Sequence, residues 1–312
     1  MKISVIVSTY NGAEYILEQL DSVKNQTRKA DEVLISDDVS SDNTVEIVNK
    51  YIADNGLQDT WKCTVNAQNK GFIKNFIDGA KASSGDLIMF CDQDDIWEPE
   101  KTKVLEDALI ENNASAVYCL MSTIDSNGEF VKDKQSRFKK VKGKGPVTKV
   151  SLEARLNCGR SSGLCLLLRR SLLGDIETIS EKYGIPHDLP VGLIASVNDS
   201  YYQINQSLVR HRVHQKNVSQ FETSIVGSSA NYKRQIESRI FKISELKAVT
   251  ELYKNRLSAA QLKMAEEAIS IHENCLAALN EHKIGKLVSS LFKSNRMVNK
   301  YLALRNILAI IR

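Results

Sequence analysis

The chain has 312 residues and 42% hydrophobic content, which is enough to bury one large core or two modest ones. No apolar run approaches the length of a membrane-spanning helix, and the first strand begins at once, so we expect neither a membrane span nor a signal peptide. The formal charge of +4 arises in residues 283–312, which contain seven basic and no acidic residues. Because the rest of the chain is slightly acidic and only 6% of residues are aromatic, the composition argues against a nucleic-acid partner.

The cysteines form no Cys-x-x-Cys pair, and several lie in apolar runs. They are Cys63, Cys91, Cys119, Cys158, Cys165 and Cys275. This pattern favours reduced, buried thiols over disulfides or a zinc site. We therefore expect a cytoplasmic protein.

In the first third of the chain, four apolar runs each lead into a polar turn and then into a helical pattern. The runs cover residues 3–8, 33–35, 63–65 and 87–90, and the turns contain residues 9–12, 37–38, 66–71 and 92–95. Strands that alternate with helices of this length predict βαβ units and a parallel sheet. In such sheets ligands bind at the carboxyl ends of the strands, and each of these turns lies at that edge.

Two of the turns carry crowded carboxylates. Asp37 and Asp38 follow the second strand, and Asp92, Asp94 and Asp95 follow the fourth. Carboxylates this close repel one another unless they share a cation or a proton. Oxygen ligands on a short loop suit Mg²⁺ or Mn²⁺, which bind one or two carboxylates together with substrate phosphates. The alternative is a solvated acidic turn that caps the next helix, but four polar turns at one edge favour a shared site.

Three motifs, in their order and spacing, resemble those of family 2 glycosyltransferases. They are Val5–Gly12, Asp37–Thr44 and Asp92–Asp95. The resemblance covers residues 1–220 and implies an α/β fold, namely a Rossmann-like A-type glycosyltransferase domain with a mostly parallel central sheet. Such domains bind a nucleotide-sugar through a metal-bridged diphosphate. We accordingly divide the chain into a glycosyltransferase domain, 1–227, with a donor-binding half (1–112) and an acceptor-side half (113–227), and a helical C-terminal region, 228–312.

The resemblance also implies roles for individual residues. The nucleotide base and ribose would be held by Thr9, Tyr10, Asn11 and Glu14; Asp38 would accept a hydrogen bond from the base; Asn69, Gly71 and Asn75 would lie beside the nucleoside; Asp92, Gln93 and Asp95 would line the donor site; and Asp94 would contact the metal, together with Asp92. Val39 stands where the family usually has glycine. Because a β-branched residue disfavours positive φ, we expect this turn to be built differently.

Direct displacement at the anomeric carbon needs a base for the acceptor hydroxyl, and the second half of the chain offers one. Asp188 precedes Pro190, which suits a first helical turn because its missing N–H would be unpaired there. Taken alone, Asp188 would be a helix N-cap. The family carries its base in a Glu-Asp or His-Asp pair at this distance, so the resemblance implies that Asp188 is the catalytic base and that His187 orients the acceptor or the loop.

A basic segment follows in which Arg212, His214 and Asn217 are similar to the Arg-x-His-x-x-Asn signature of bacterial surface-polysaccharide members, including rhamnosyltransferase-like sequences. A cationic or metal-binding group here would neutralise the departing diphosphate. We therefore predict His214 at the diphosphate or metal and Arg212 at the diphosphate; the alternative is a solvated strand edge and a packed histidine. The chain lacks the Gln-x-x-Arg-Trp segment of processive synthases, which favours transfer of one sugar per encounter.

The last third of the chain is predicted to be helical. Apolar residues recur at helical spacing through 236–252, and Ser258 with Gln261 forms a capping box for a further helix. Residues 283–312 read as a basic amphipathic helix that either lies on an anionic membrane or packs on its neighbours. The C-terminal helices are also candidates for pairing two subunits as a homodimer. Residues 132–149, with eight basic residues, are predicted to be a loop that is either solvated or ordered over the donor diphosphate.

Together these features predict an inverting, metal-dependent glycosyltransferase that uses Mg²⁺ or Mn²⁺ and a UDP- or dTDP-linked sugar. The resemblance implies a glycan acceptor, commonly lipid-linked, in bacterial O-antigen, capsule or other surface-polysaccharide biosynthesis, with the protein in the cytoplasm or peripheral at the inner face of the cell membrane. One alternative, a sugar nucleotidyltransferase, would open with a Gly-rich loop bearing Arg and Lys, which residues 9–14 lack. The other, a non-catalytic assembly protein on the same fold, is disfavoured by the complete set of catalytic groups.

Overall fold

The computed structural model describes residues 1–131, 141, 145–157, 162–214 and 229–281. The strands in these residues are β1 (Ile3–Thr9), β2 (Glu32–Asp37), β3 (Trp61–Val65), β4 (Leu87–Asp92), β5 (Ile96–Trp97), β6 (Ala116–Ile124), β7 (Val147–Lys149), β8 (Leu166–Arg169) and β9 (Tyr201–Arg212). The helices are α1 (Ile16–Lys24), α2 (Thr44–Asp54), α3 (Phe72–Ala82), α4 (Lys101–Glu111), α5 (Leu152–Asn157), α6 (Leu173–Tyr183), α7 (Leu189–Val197), α8 (Ser229–Leu252) and α9 (Ala259–Asn280). Every strand and helix predicted in the first third of the chain is present.

These strands join in one sheet, in the order β3-β2-β1-β4-β8-β6-β9-β5, with β7 paired to β9. The first four are parallel, as predicted. Beyond β4 the sheet is mixed, because β8 runs antiparallel to both β4 and β6, whereas β6 and β9 are parallel. The fully parallel part of the sheet, β1 to β4, therefore lies within residues 1–112, the predicted donor-binding half.

The register of the parallel strands aligns the polar turns. Thr9 at the end of β1 pairs with Asp37 at the end of β2, and Ser8 pairs with Asp92 at the end of β4. β1 and β4 are almost wholly buried, as expected for central parallel strands with nearly continuous apolar sequences. Helix α3 packs closely on β1, since a Cβ at Gly79 would lie 2.6 Å from a methyl carbon of Ile6. Three polar turns are thus held at one edge of a rigid sheet.

Helices α8 and α9 pack onto the second half of the chain. Leu246, Val249 and Tyr253 belong to the same hydrophobic core as the central sheet. The predicted capping box of Ser258 and Gln261 begins α9, and Gln261 also reaches the carbonyl of the last residue of α7 at 3.4 Å. Among the helices in the described ranges, none combines the length and apolarity needed to cross a bilayer.

Several predictions concern residues outside the described ranges: the basic tail 283–312, Cys158, Asn217 and most of the segment 132–149. The last three residues of that segment are described and form β7 rather than a loop, because their backbone pairs with the edge of β9. The five cysteines within the described residues have free thiols, as predicted, and all except Cys63 are buried.

Candidate active site

The turn after β1 is tied to the turn after β2. The Asn11 side chain accepts a hydrogen bond from the Ser41 N–H at 2.8 Å, and the Asn11 N–H donates to the Ser40 hydroxyl at 2.8 Å. The Thr9 hydroxyl donates to Asp37, which is fully buried, at 2.8 Å. The side chains of Thr9 and Asn11 therefore join the two turns, and their predicted contact with the base and ribose stays a prediction.

The turn after β4 is tied to β1 by a single side chain. Gln93 accepts a hydrogen bond from the Tyr10 N–H at 2.8 Å and donates to the Tyr10 carbonyl at 3.1 Å. It also covers Gly12, where a Cβ would lie 2.2 Å from Gln93 Oε1, so a side chain at residue 12 would break this clamp. The Tyr10 ring is half exposed and Glu14 is exposed, so these two predicted nucleoside contacts face solvent at the edge.

Asp38 is buried beneath the loop that follows β3. Its carboxylate accepts hydrogen bonds from the N–H groups of Lys70 and Gly71, both at 2.8 Å, and from the Asn66 amide at 2.9 Å. The Asn69 amide donates to the Asp38 carbonyl at 3.0 Å. Both side chains hold this loop over the end of β2, and their predicted contact with the nucleoside stays a prediction.

Asn75 was also expected beside the nucleoside, but it is fully buried. Its amide donates to the Ser8 hydroxyl at 2.7 Å and to the Ser36 carbonyl at 2.8 Å, and its oxygen accepts from the Ser36 hydroxyl at 2.6 Å and from Asn66 at 2.8 Å. These bonds use the full capacity of the amide, so Asn75 fixes α3 against β1 and β2. Gly71 precedes α3 with φ of 77°, a conformation that favours glycine.

The turn at Val39 keeps the left-handed conformation despite the branched side chain. Val39 has φ of 67°, so the expectation of a differently built turn is wrong. A β-branched residue in this region is strained by about 1–3 kcal/mol. The conformation persists because both neighbours are fixed: the loop holds Asp38, and Ser40 donates twice to Asp37, at 2.8 Å from its N–H and 2.6 Å from its hydroxyl.

Asp94 and His214 lie side by side at this edge. His214 Nε2 is 2.9 Å from Asp94 Oδ2, and the two side chains are 10% and 13% exposed, respectively. The His214 ring packs on Tyr15, with centroids 4.8 Å apart. Burial and a hydrogen bond with Glu14 raise the pKa of Tyr15 to about 12, so its ring stays neutral. The two residues predicted at the metal are therefore neighbours, although 120 positions separate them in the chain.

Asp95, predicted to line the donor site, points into the protein. Its side chain is fully buried, Oδ1 lies 2.8 Å from His211 Nδ1, and the same oxygen accepts the Arg212 N–H at 3.0 Å. Although burial opposes it, the negative charge of Asp95 raises the pKa of His211. Asp95 therefore anchors the end of β9, which brings His214 to the edge of the sheet.

The Arg212 guanidinium also makes its contacts within the protein. It donates to the Asp94 carbonyl at 3.0 Å and to the Ser126 carbonyl at 3.1 Å, pairs with Glu18, and lies 4.6 Å from the centre of the Tyr15 ring. We expected Arg212 at the diphosphate. Its side chain is 1% exposed, and all three of its nitrogens donate within the protein, Nε to the turn that carries Asp94. It positions that turn.

Asp92 experiences the charges of the surrounding carboxylates. Burial and the nearby negative charges of Asp95, Asp94 and Asp188 raise its pKa well above the usual range. Within the described residues, no group of three or more His, Cys, Asp or Glu side chains is arranged to hold an ion. The predicted metal set therefore reduces to Asp94 and His214, because Asp92 is still part of β4 whereas Asp94 lies in the turn beyond it.

Asp188 lies on a loop that precedes α7. Its Oδ2 accepts a hydrogen bond from the Gly163 N–H at 2.9 Å, and its side chain does not cap α7. Asp188 is thus the N-cap residue of α7 by position, as the alternative had it, but its side chain accepts no capping hydrogen bond. The charge of Asp188 contributes to the raised pKa of Asp92, so the predicted base lies near the end of β4.

His187 packs against Phe76 and Phe90, with ring centroids 4.4 Å from each. It is 4% exposed, and neither ring nitrogen has a hydrogen-bond partner among the described residues. Burial lowers the pKa of His187 to about 3, so the ring is neutral. Of the two roles expected for it, this environment favours holding the loop, because an acceptor contact would require exposure.

Sequence reasoning missed Lys101, which supports Asp188 indirectly. Lys101 is fully buried, donates to the Leu164 carbonyl at 2.7 Å and lies 3.1 Å from the centre of the Trp97 ring. Burial lowers the pKa of Lys101 to about 8. It holds the short 3₁₀ turn Gly163–Cys165, which offers the Gly163 N–H to Asp188. A lysine at the start of a helix gave no signal of burial.

The sequence profile of glycosyl transferase family 2 matches residues 4–176, more than half of the chain. This match agrees with the parallel strands and with the acidic turns at their carboxyl ends. The chain therefore belongs to glycosyltransferase family 2.

The relatives that the chain matches include proteins named as sugar transferases. The chain is 38% identical over 117 residues to the dTDP-rhamnosyl transferase RfbG of Shigella flexneri, covering 35% of this chain and 38% of that protein. It is 32% identical over 142 residues to the UDP-Glc:alpha-D-GlcNAc-diphosphoundecaprenol beta-1,3-glucosyltransferase WfgD of Escherichia coli, covering 45% of this chain and 54% of that protein. The chain thus spans about half or less of these relatives.

Solved structures extend the likeness over nearly the whole chain. Staphylococcus aureus TarS 1–349 in complex with UDP-GlcNAc has a TM-score of 0.59 at 20% identity, covering 95% of this chain and 93% of that chain. The same protein in complex with UDP gives 0.57 at 20% identity, covering 99% and 90%. At this identity the likeness shows a shared fold, and the predicted A-type α/β domain with C-terminal helices is confirmed.

Proposed function

We propose that this protein transfers one sugar, with inversion, from a nucleoside-diphosphate sugar to a hydroxyl of a glycan acceptor during bacterial surface-polysaccharide assembly, as in O-antigen or capsule synthesis. The observation that carries the proposal is the arrangement at one sheet edge. The Asp94–His214 pair lies there beside Asp92, and the charges of Asp94 and Asp188 both contribute to the raised pKa of Asp92. Membership of the family supports the reaction class.

A UDP- or dTDP-linked donor is supported by the relatives. RfbG is named for a dTDP-linked rhamnosyl group and WfgD for UDP-Glc, and the TarS structures contain UDP-GlcNAc or UDP. In this chain the half-exposed ring of Tyr10 offers a surface on which a base can stack, and Glu14 offers a carboxylate to ribose hydroxyls.

Mg²⁺ or Mn²⁺ fits the Asp94–His214 pair. The pair supplies one oxygen and one nitrogen ligand 2.9 Å apart, and such ions complete their coordination with water and substrate phosphates. The charges that raise the pKa of Asp92 show that the edge is electrostatically crowded, and a cation would offset this repulsion. When bound, the ion would stabilise the charge that develops on the departing diphosphate.

Asp188 is proposed to take the proton of the acceptor hydroxyl. The Gly163 N–H fixes the direction of its carboxylate before any substrate arrives, which favours a productive geometry. Arg212 and Asp95 hold the opposite side of the site, through the Asp94 carbonyl and the end of β9. One base and one displacement at the anomeric carbon give inversion. A nucleotidyltransferase is disfavoured, because residues 9–14 offer no Arg or Lys to a triphosphate.

We further propose that the acceptor is lipid-linked. The name of WfgD describes an acceptor linked to diphosphoundecaprenol. The seven basic and no acidic residues of 283–312 would attract an anionic membrane surface beside such an acceptor. Flotation of the full chain with anionic vesicles tests this tail, and its mass in solution tests the expected subunit pairing.

The decisive experiment measures nucleoside diphosphate released from a panel of nucleotide-sugars with Mg²⁺ or Mn²⁺ and an acceptor. Asp188→Asn should lower turnover by about 10²- to 10⁴-fold while leaving UDP binding unchanged. Asp199→Asn is the matched control: it lies beyond the other end of α7, its side chain is 69% exposed, and its φ of 56° suits asparagine. Full activity of Asp188→Asn would refute the base, and a native protein inactive with every donor would refute the class.

A further inference from the structure

A buried ion pair joins the C-terminal helix α8 to α5. Arg155 Nη2 lies 2.7 Å from Glu245 Oε1, and their side chains are 2% and 0% exposed. Lys242, one turn earlier on α8, lies 3.1 Å from the other oxygen of Glu245. Because removal of one partner would leave a buried charge uncompensated, the two helices are held in a defined arrangement.

The same guanidinium contacts the start of α7. Arg155 Nη2 donates to the Leu189 carbonyl at 3.1 Å, and Leu189 directly follows Asp188. A Cβ at Gly192 would lie 2.7 Å from Arg155 Nε, so the absence of a side chain lets the guanidinium reach the first turn of α7. The path from α8 to the residue beside the proposed base thus consists of two hydrogen bonds through one side chain.

Stability alone does not account for this arginine. Its Nε and Nη1 are buried without a hydrogen-bond partner in the described residues. Buried pairs that are incompletely satisfied are commonly replaced by apolar residues at no loss of stability. Arg155 supplies what an apolar side chain cannot, a donor to the Leu189 carbonyl.

We infer that Arg155 and Glu245 are positioning residues, through which the C-terminal helical region sets the loop that carries Asp188. The inference rests on the proposed function of Asp188. Gly163 holds the carboxylate of Asp188 and Arg155 holds the backbone immediately after it, so the base is fixed from two sides. Helix α8, which lies beyond the residues matched by the family profile, therefore completes the active site without contacting substrate.

Two variants test this link. Arg155→Lys keeps a cation for Glu245 and removes the two unsatisfied donors, but its side chain is one bond shorter than the path to Nη2, the one nitrogen that donates to both Glu245 and Leu189. The triple variant Arg155→Met, Lys242→Met and Glu245→Leu removes the charged cluster altogether and is expected to fold. Both should lower kcat by about tenfold or more, because a small displacement of a base is costly, and should leave the donor KM within about twofold.

Hydrogen exchange supplies a readout that does not depend on activity. The backbone N–H groups of residues 187–189 and 191–193 should exchange about tenfold faster in both variants, while those of β1 and β4 should not change. Glu251→Gln is the matched control, since Glu251 joins α8 to Lys182 and Tyr183 of α6 without contacting α7. Unchanged kcat and exchange in Arg155→Lys would overturn the inference. An inactive native protein would instead overturn the proposed function, and faster exchange in the variants would still establish the link.

Discussion

Acidification should weaken the loop that carries Asp188, because His187 is buried as a neutral ring. Burial lowers the pKa of His187 from 6.5 to about 3. Its neighbours Phe76 and Phe90 offer no polar contact to a charged imidazole. In the unfolded chain the ring takes up a proton near pH 6.5, whereas the folded protein does not. Stability is therefore lost as the pH falls from about 6.5 towards 3.

The size of the effect follows from the difference between the two pKa values. Each pH unit below 6.5 removes about 1.4 kcal/mol until the folded pKa is reached. The loss is about 2 kcal/mol at pH 5 and approaches about 5 kcal/mol near pH 3. Since domains of this kind are stable by about 5–15 kcal/mol, the loss at pH 5 is already a considerable fraction.

Urea unfolding of the native protein and of His187→Phe, followed by the fluorescence of Trp61 and Trp97, measures this contribution. A phenylalanine can pack against Phe76 and Phe90 and does not titrate. The free-energy difference between the two proteins should change by about 2 kcal/mol in favour of the variant between pH 7.5 and pH 5. The change in packing contributes equally to the free-energy difference at both pH values, so it cancels when the two are compared. A difference that is the same at both would refute the reasoning.

Three further outcomes are expected. Val39→Gly should raise the unfolding free energy by about 1 kcal/mol, since it relieves a positive φ at a small entropic cost; a lower urea midpoint would contradict the strain. Because burial lowers the pKa of Lys101 from 10.5 to about 8, stability should rise by about 3 kcal/mol between these pH values, and Lys101→Met should not show this rise. Asn75→Ala should lower stability by about 3 kcal/mol, because it leaves buried partners of its amide unsatisfied; an unchanged unfolding midpoint would exclude this role.

The parallel half of the fold follows from the sequence because its strands are continuously apolar and end in polar turns. This pattern predicted β1 to β4 and the edge where the turns meet. This pattern could not predict that β8 pairs with β4 and β6, or that β9 pairs with β6, because these pairings depend on contacts between segments that are distant in the sequence. Asp94 and His214, which the motifs assign to a metal, lie 2.9 Å apart, and the metal itself stays a prediction.

At the site itself, sequence spacing predicted which residues reach the edge, but not what their side chains contact there. Thr9, Asp38 and Asn75 all lie at the expected places, yet each bonds to neighbouring polypeptide. Motif position is a property of the backbone, whereas these partners depend on how loops fold over strand ends. The Arg155–Glu245 pair shows the same limit, because its members are 90 residues apart in segments with no distinguishing pattern.

The Asp38 carboxylate accepts hydrogen bonds from two backbone N–H groups, and this affects how its role in nucleotide recognition can be tested. The Asp38→Ala substitution would release the loop after β3. A loss of nucleotide affinity in this variant could therefore come from the displaced loop as well as from a lost contact with the base. The informative change is on the nucleotide. UDP methylated at uracil N3 removes the donor that a carboxylate would recognise and leaves the protein untouched, so its affinity separates recognition of the base from the integrity of the loop.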